Sequence, residues 1–347
     1  MAGHSRRSVI AGVAVAGATA LVAGCSGGGE DPPAAQPLAG GGPGQNTAPG
    51  RRVVIGFSAP AADHGWLAAI TNNARRQARA LPDVEFKMVA SGANAGAQRA
   101  ALSTLIAERP DVIVVLPHDG KELNAFGVEA MRAGVPVVNL DRAFPDPAAF
   151  RLQIKGDNYG MGVAAARHII SRLRTRKVEQ PVIAEIAGLD FLELTQERSR
   201  GFRDTLAAAG MSVANRRAAA FTADSGQREA AHLLQALPHL HAVWNHDDDQ
   251  GVGVLAAVEA AKRGEFFMVG GAGSRQAMQT IQAGGTVLEA TVTYSPSMAS
   301  SAILLARLIA QDRGLADLAE FEVPRQLVLA AETVTRDNAD DYLHFGF

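Results

Sequence analysis

The sequence predicts an α/β protein built as two doubly wound lobes, each around a parallel sheet. Three observations carry this. From Arg51 onwards, short apolar runs of strand length alternate with amphipathic stretches of helical spacing. Strands that are continuously apolar, rather than alternating, are buried on both faces, as parallel strands covered by helices are. The alternation also continues over more chain than one ordinary open sheet occupies, and two lobes resolve that excess.

Taken in order, Val53-Val54-Ile55-Gly56-Phe57 is the first strand. Apolar positions at Leu67, Ile70, Ala74, Ala78 and Leu81 predict a helix over Trp66–Leu81. Strand-like Val84–Val89 precedes a helix around Gln98–Glu108. Val112–Leu116 precedes a helix around Lys121–Ala133, and Val135–Asn139 follows. A second series begins after Gly156. Its helices are Asn158–Arg174, Gln196–Ala209, Gln227–Leu237 and Gln250–Lys262, and its strands are Val182–Ile186, Ser212–Ala218, Ala242–Asn245 and Phe266–Val269. Thr286–Thr293 is a further strand and Ser297–Gln311 a further helix.

Before Arg51 the chain reads differently. Arg6 and Arg7 precede an apolar run from Val9 to Ala23, shorter than the ~20 residues of a spanning helix. Small residues and Cys25, the chain's one cysteine, close it. Val22-Ala23-Gly24-Cys25 resembles the lipobox of bacterial lipoproteins, which implies a signal peptide over 1–25 and lipidation at Cys25. Ser5-Arg6-Arg7-Ser8-Val9-Ile10 leaves the general and twin-arginine export routes both open. Residues 26–50 are rich in Gly, Pro, Ala, Asn and Gln. Such a segment buries too little apolar surface to offset its ordering, and reads as a disordered tether. The expected location is therefore extracytoplasmic and membrane-anchored. A formal net charge of −2, without blocks of either sign, gives no face for nucleic acid.

In open α/β sheets, ligands bind beyond the carboxyl ends of the strands. After the first strand come Asp63, His64, Gly65 and Trp66. An aromatic face covers the C–H side of a sugar while a carboxylate accepts from its hydroxyls; alternatively Trp66 is core and Asp63 a helix cap. After the fourth strand come Asp141 and Arg142, an acceptor and a rigid donor fork suited to vicinal diols, or else a surface ion pair.

The order of these pieces resembles the periplasmic sugar-binding proteins of the ribose-binding type, the recognition subunits of ABC importers. The likeness covers Arg51 to about Ala330. It rests on Asp63–Trp66, Val135–Arg142, Gly156-Asp157-Asn158, Glu197–Phe202, Ala242–Asp248 and Phe267–Gly271. The resemblance implies the type I periplasmic binding protein fold with a three-strand hinge. Lobe one comprises 51–156 plus 295–324, and lobe two 157–294 plus 325–347. It implies ligand contacts at Asp63, His64, Trp66, Asp141, Arg142, Gln196, Phe221, Asp247 and Tyr294. Three positions depart from it: its ligand arginine falls on Gln196, a later aspartate on Ala272, and a hinge-proximal glutamine on Tyr294. The second lobe is thus expected to grip with fewer charged groups, which puts ribose in doubt. The implied ligand is a neutral monosaccharide or sugar alcohol, the implied partners are ABC permease subunits, and the implied state is a monomer. A membrane sensor of the same ligand is the alternative, and a sugar-processing enzyme the less favoured one.

Chemistry by other routes finds little footing. His246-Asp247-Asp248-Asp249 lacks the ligand spacing of a calcium loop, and adjacent residues at a strand end diverge, so no metal is expected. Asp248 and Asp249 are expected to cap the following helix. Gly270-Gly271-Ala272-Gly273 lacks a dinucleotide or phosphate-loop fingerprint, so no cofactor is expected. No Gly-x-Ser-x-Gly elbow is present. Asp63 and Asp141 imitate a glycosidase carboxylate pair only in type. The chain is accordingly read as a binder and not an enzyme.

Overall fold

The structure, a computed structural model, describes residues 48–92, 94–315 and 322–347. Cys25, the expected signal segment and all of the expected tether up to residue 47 lie outside the described residues.

The first series runs β1 (Val53–Ser58), α1 (Gly65–Arg79), β2 (Val84–Met88), α2 (Ala95–Ala107), β3 (Val112–Val115), α3 (Asn124–Arg132), β4 (Val137–Leu140) and β5 (Leu152–Gly156). The second runs α4 (Asn158–Thr175), β6 (Ile183–Ala187), α5 (Glu193–Ala208), β7 (Val213–Ala218), α6 (Ala223–Ala236), β8 (Ala242–Asn245), α7 (Asp248–Ala260), β9 (Phe267–Ala272), α8 (Arg275–Ala283) and β10 (Leu288–Thr293). The chain then returns through α9 (Met298–Ala310), β11 (Gln326–Leu329), β12 (Thr333–Thr335) and α10 (Ala339–Tyr342).

Two sheets result. One has the order β11-β5-β4-β3-β1-β2, the other β12-β10-β9-β8-β6-β7. All pairings are parallel except β12 against β10. In each lobe the order reverses beside the first strand, between β1 and β3 and between β6 and β8. That reversal opens a crevice at the strand ends where a ligand fits. Val112–Val115 in β3 and all of β6 and β9 are buried, as strands covered on both faces must be. Helix α1 buries Trp66, Leu67, Ile70, Ala74 and Ala78 along one stripe. It packs against α9, which also lies over β3 and β1.

The structure corrects the expected boundary at 324/325. β11 pairs in parallel register with β5, Gln326 opposite Gln153 through Leu329 opposite Gly156, so it belongs to the first sheet. The third crossing lies between Leu329 and Thr333, where β12 joins the second sheet. The strand expected from Val135 begins at Val137, because the Val135 N–H bonds back to Ala130 O and closes the preceding helix.

Residues 48–50, assigned to the tether, are docked on lobe one. Gly50 N donates to Asp83 Oδ2 (2.6 Å) and Ala48 O accepts from Arg307 Nη2 (2.6 Å). Arg307 and Asp83 form a buried ion pair at 2.6 Å. Burial alone would raise the Asp83 carboxyl; the hydrogen bonds from Arg307, Gly50 and Gln311 overcome it and hold it far below the usual range. The chain therefore enters the fold at the amino end of β1, while the crevice lies at its carboxyl end.

Candidate functional site

The two crevices face each other across a narrow cleft lined from both lobes. Lobe one contributes His64, Trp66, Asp141 and Arg142 to its wall; Leu194, Arg198, Phe221, Asp247, Ala272 and Tyr294 complete it.

Each wall is held from behind. In lobe one, Gln98 of α2 donates to Ser58 Oγ (3.2 Å) and Leu116 O (2.9 Å), which fixes the ends of β1 and β3. Asn139 accepts from Phe144 N and donates to Arg142 O, closing the turn that carries the Asp-Arg pair. Asp141 sits at φ +64°, a conformation that aspartate tolerates better than most residues. In lobe two, Gln250 plays the part of Gln98: it donates to Ala187 O (3.2 Å) and Ala220 O (3.0 Å), tying β6 to the loop bearing Phe221.

Tyr294 knits the cleft. Its hydroxyl donates to Asp141 Oδ1 (2.5 Å), its carbonyl accepts from Trp66 Nε1 (2.8 Å), and the Arg198 guanidinium lies 4.6 Å from its ring centre. Burial, with the Asp141 charge beside it, pushes the tyrosine hydroxyl's pKa strongly up, so it remains a donor. Arg142 Nη1 donates to His118 O (2.6 Å), while its buried Nε has no hydrogen-bond partner. Burial lowers the Arg142 pKa against the opposing pull of Asp141 and Asp63.

Two expected residues stand elsewhere. Asp63 is 63% exposed, does not line the cavity, and acts through His64, whose Nδ1 lies 2.5 Å from its Oδ1. Asp63 and Asp141 therefore do not flank a common cavity as paired carboxylates. Burial tends to lower the His64 pKa, but the bond to Asp63 and the charges of Asp247 and Asp249 raise it overall. Gln196 is exposed and donates to Asp190 O (2.8 Å). Arg198 takes its expected place: it is 4% exposed, bonded to Asn158 Oδ1 (2.9 Å) and His246 O (3.2 Å), and lines the cavity. Two residues along a helix rotate a side chain by roughly 200°, which separates the two. The second lobe keeps a buried guanidinium at the cleft.

The run His246–Asp249 divides its tasks. His246 is fully buried, with Nε2 2.9 Å from Glu185 Oε1. Asp247 caps α7, accepting from Asp249 N and Gln250 N, and faces the cavity; burial pushes its pKa up to about 6. Asp248, expected as a cap, instead accepts from Gly271 N, Ser274 N and Thr291 Oγ1, and burial pushes it up to about 8. Asp249, also expected as a cap of its own helix, crosses the cleft to accept from Trp66 N (3.0 Å) at the start of α1. That N–H is open because His64, the N-cap, makes no side-chain cap bond.

Fold and cleft together define a two-lobed binding protein that encloses its ligand between hinged sheets. A family profile described as a periplasmic binding protein domain matches residues 55–314, and the chain belongs to that family. The chain is 24% identical to the ribose import binding protein RbsB of Bacillus subtilis over 248 residues, 72% of this chain and 78% of that protein. Its fold is that of a galactofuranose binding protein (TM-score 0.75, 20% identity, 84% of this chain and 97% of that one). It is equally that of the fructose binding periplasmic domain of a hybrid two component system (TM-score 0.74, 22% identity, 84% and 94%).

Proposed function

We propose that the chain is an extracytoplasmic binding protein that encloses a neutral monosaccharide-sized ring or sugar alcohol and presents it to an ABC importer by closure of its lobes. The observation that carries this is the cavity's balance. Trp66, Phe221 and Tyr294 line it with rings; two carboxylates, Asp141 and Asp247, offset two guanidinium groups, Arg142 and Arg198, and His64 is paired with Asp63 behind it. Ring faces with interleaved acceptors and donors of both signs suit a polyhydroxylated neutral molecule; a phosphate or acid would need a surplus of basic groups. Arg142 Nε is buried without a hydrogen bond, 3.9 Å from Asp141 Oδ2, and a ligand oxygen would satisfy it.

The ligand leaves unchanged: the output is the closed shape, favoured because the ligand binds it better than the open one. An importer is favoured over a sensor because the relative sharing sequence is named an import protein, whereas the sensor domain shares fold alone. Lipidation at Cys25 would hold the protein at the membrane, as a monomer on its tether. The testing experiment is a thermal-shift panel of pentoses, hexoses, inositols and linear polyols. A specific ligand at a hundredfold excess over Kd stabilises by ~2.7 kcal/mol. A panel without a stabilising member, or a hit that is consumed, counts against the reading.

A further inference from the structure

Tyr294 stands at the second crossing between the lobes, one residue beyond β10. The crossings are bonded side by side: Asp157 N donates to Leu329 O (2.8 Å), and Thr293 N to Glu332 O (2.8 Å). The tyrosine ring lies against the first crossing, where a Cβ on Gly156 would collide with it. From the second lobe the Arg198 guanidinium covers the ring, 4.6 Å from its centre, and the Tyr294 carbonyl is held by Trp66 Nε1 (2.8 Å). Displacement on closure grows with distance from the hinge. The phenol is therefore a fixed wall of the cleft, not a side chain that swings away for a ligand.

Its hydroxyl decides what that wall offers. It donates to Asp141 Oδ1 (2.5 Å), with Asn158 Nδ2 3.4 Å away. Asp141 thus stands between two groups: Oδ1 is engaged by Tyr294, and Oδ2 lies 3.9 Å from Arg142 Nε, which has no hydrogen-bond partner. A ligand hydroxyl that meets Arg142 Nε reaches Asp141 through Oδ2. Growth of the ligand toward Oδ1 meets a ring in place and an acceptor already in use.

We propose that Tyr294 sets the size of the ligand: its ring closes the hinge end of the cleft, so that five-carbon sugars and polyols are held in preference to their six-carbon homologues. This rests on the carbohydrate reading above. D-xylose and D-glucose differ only by one exocyclic hydroxymethyl group, as do L-arabinose and D-galactose, D-lyxose and D-mannose, and D-ribose and D-allose. The six-carbon member of each pair has one more group to place, and the hinge end gives it neither space nor a free partner. A hydroxyl buried without a partner and a packed ring forced aside both cost affinity.

The test is calorimetric titration of the wild type, Tyr294→Gln and Tyr294→Phe with these pairs and with xylitol against sorbitol. In the pair that binds tightest, the wild type should hold the five-carbon member about tenfold or more tighter, the scale on which a pocket discriminates by one methylene. Tyr294→Gln, with circular dichroism unchanged, should lose most of that preference. Tyr294→Phe keeps the ring and should keep the preference, whatever becomes of both affinities. A wild type that binds the six-carbon member as well or better overturns the proposal and leaves the carbohydrate reading standing. So does a folded Tyr294→Gln with the preference intact, or a Tyr294→Phe without it. Absence of binding by every neutral carbohydrate overturns the proposal and the reading beneath it together.

Discussion

Arg142 enters the cleft with Nη1 spent on backbone carbonyls and Nε buried without an acceptor. A ligand oxygen relieves that deficit, so Arg142→Ala should weaken binding by ~1.5–3 kcal/mol, the range for hydrogen bonds to charged groups, read by calorimetry on a variant whose circular dichroism is unchanged. The buried acids set the pH response. The folded-state pKa values of Asp247 and Asp248 stand at about 6 and about 8, above the ordinary carboxylate range, so the native protein keeps protons that the unfolded chain releases. Their contribution is complete below the ordinary carboxylate pKa and is lost as pH rises through the folded values. His64, also raised, loses its contribution in the same direction as pH passes its folded pKa. Asp83 and Glu265, held low by arginines, act oppositely and are lost at acid pH. Melting temperature should therefore peak on the acid side of neutrality and fall by several degrees towards pH 8, and Asp248→Asn should flatten that alkaline limb. An unchanged limb in the variant would count against the assignment. The Asp-Arg pair was legible in the sequence because it follows a buried strand, where direction is fixed. Arg198 was not, because helix α5 begins beyond a loop whose length hides its phase; assigning Gln196 put the donor on the solvent face. The ring stripe of α5, with Leu194, Arg198 and Phe202 buried, held the signal.

At the scale of elements, the contact that closes the cleft without touching its cavity is Asp249 of α7 on the amino end of α1. A carboxylate there meets an open N–H and the positive end of a helix. Gly65 permits the approach, since a Cβ at that position would stand 2.8 Å from Asp249 Oδ1. Asp249→Ala should lower the closed population and weaken ligand binding by about tenfold through that fraction alone, chiefly as faster release in stopped-flow measurements. An unaltered release rate would show that the bond does not bear on closure. The apolar strands β1, β3, β6 and β8 were legible because burial on both faces leaves no polar alternation to misread. β11, with exposed Gln326 and Val328 alternating with half-buried residues, carries no such run. Its partner β5 decides its lobe, and that pairing is a tertiary fact no local pattern contains. Helix α8 escaped notice because its buried face is short, Ala277, Met278 and Ile281.

For the whole molecule, the point where the chain enters the fold stands apart from the cleft. Residues 48–50 leave lobe one at the amino end of β1, and the cleft opens at the other end of the same strands. Cys25→Ala should release the protein from the membrane fraction with ligand affinity unchanged; membrane retention after signal processing would contradict the anchor. The central claim is that the two sheets close on a neutral carbohydrate that is held and not altered. Small-angle X-ray scattering across a titration with the carbohydrate found in the binding panel tests it most directly. The radius of gyration should fall saturably with ligand and recover on dialysis, with the ligand released chemically intact. A radius unchanged at saturating ligand, or a ligand converted to product, would contradict it.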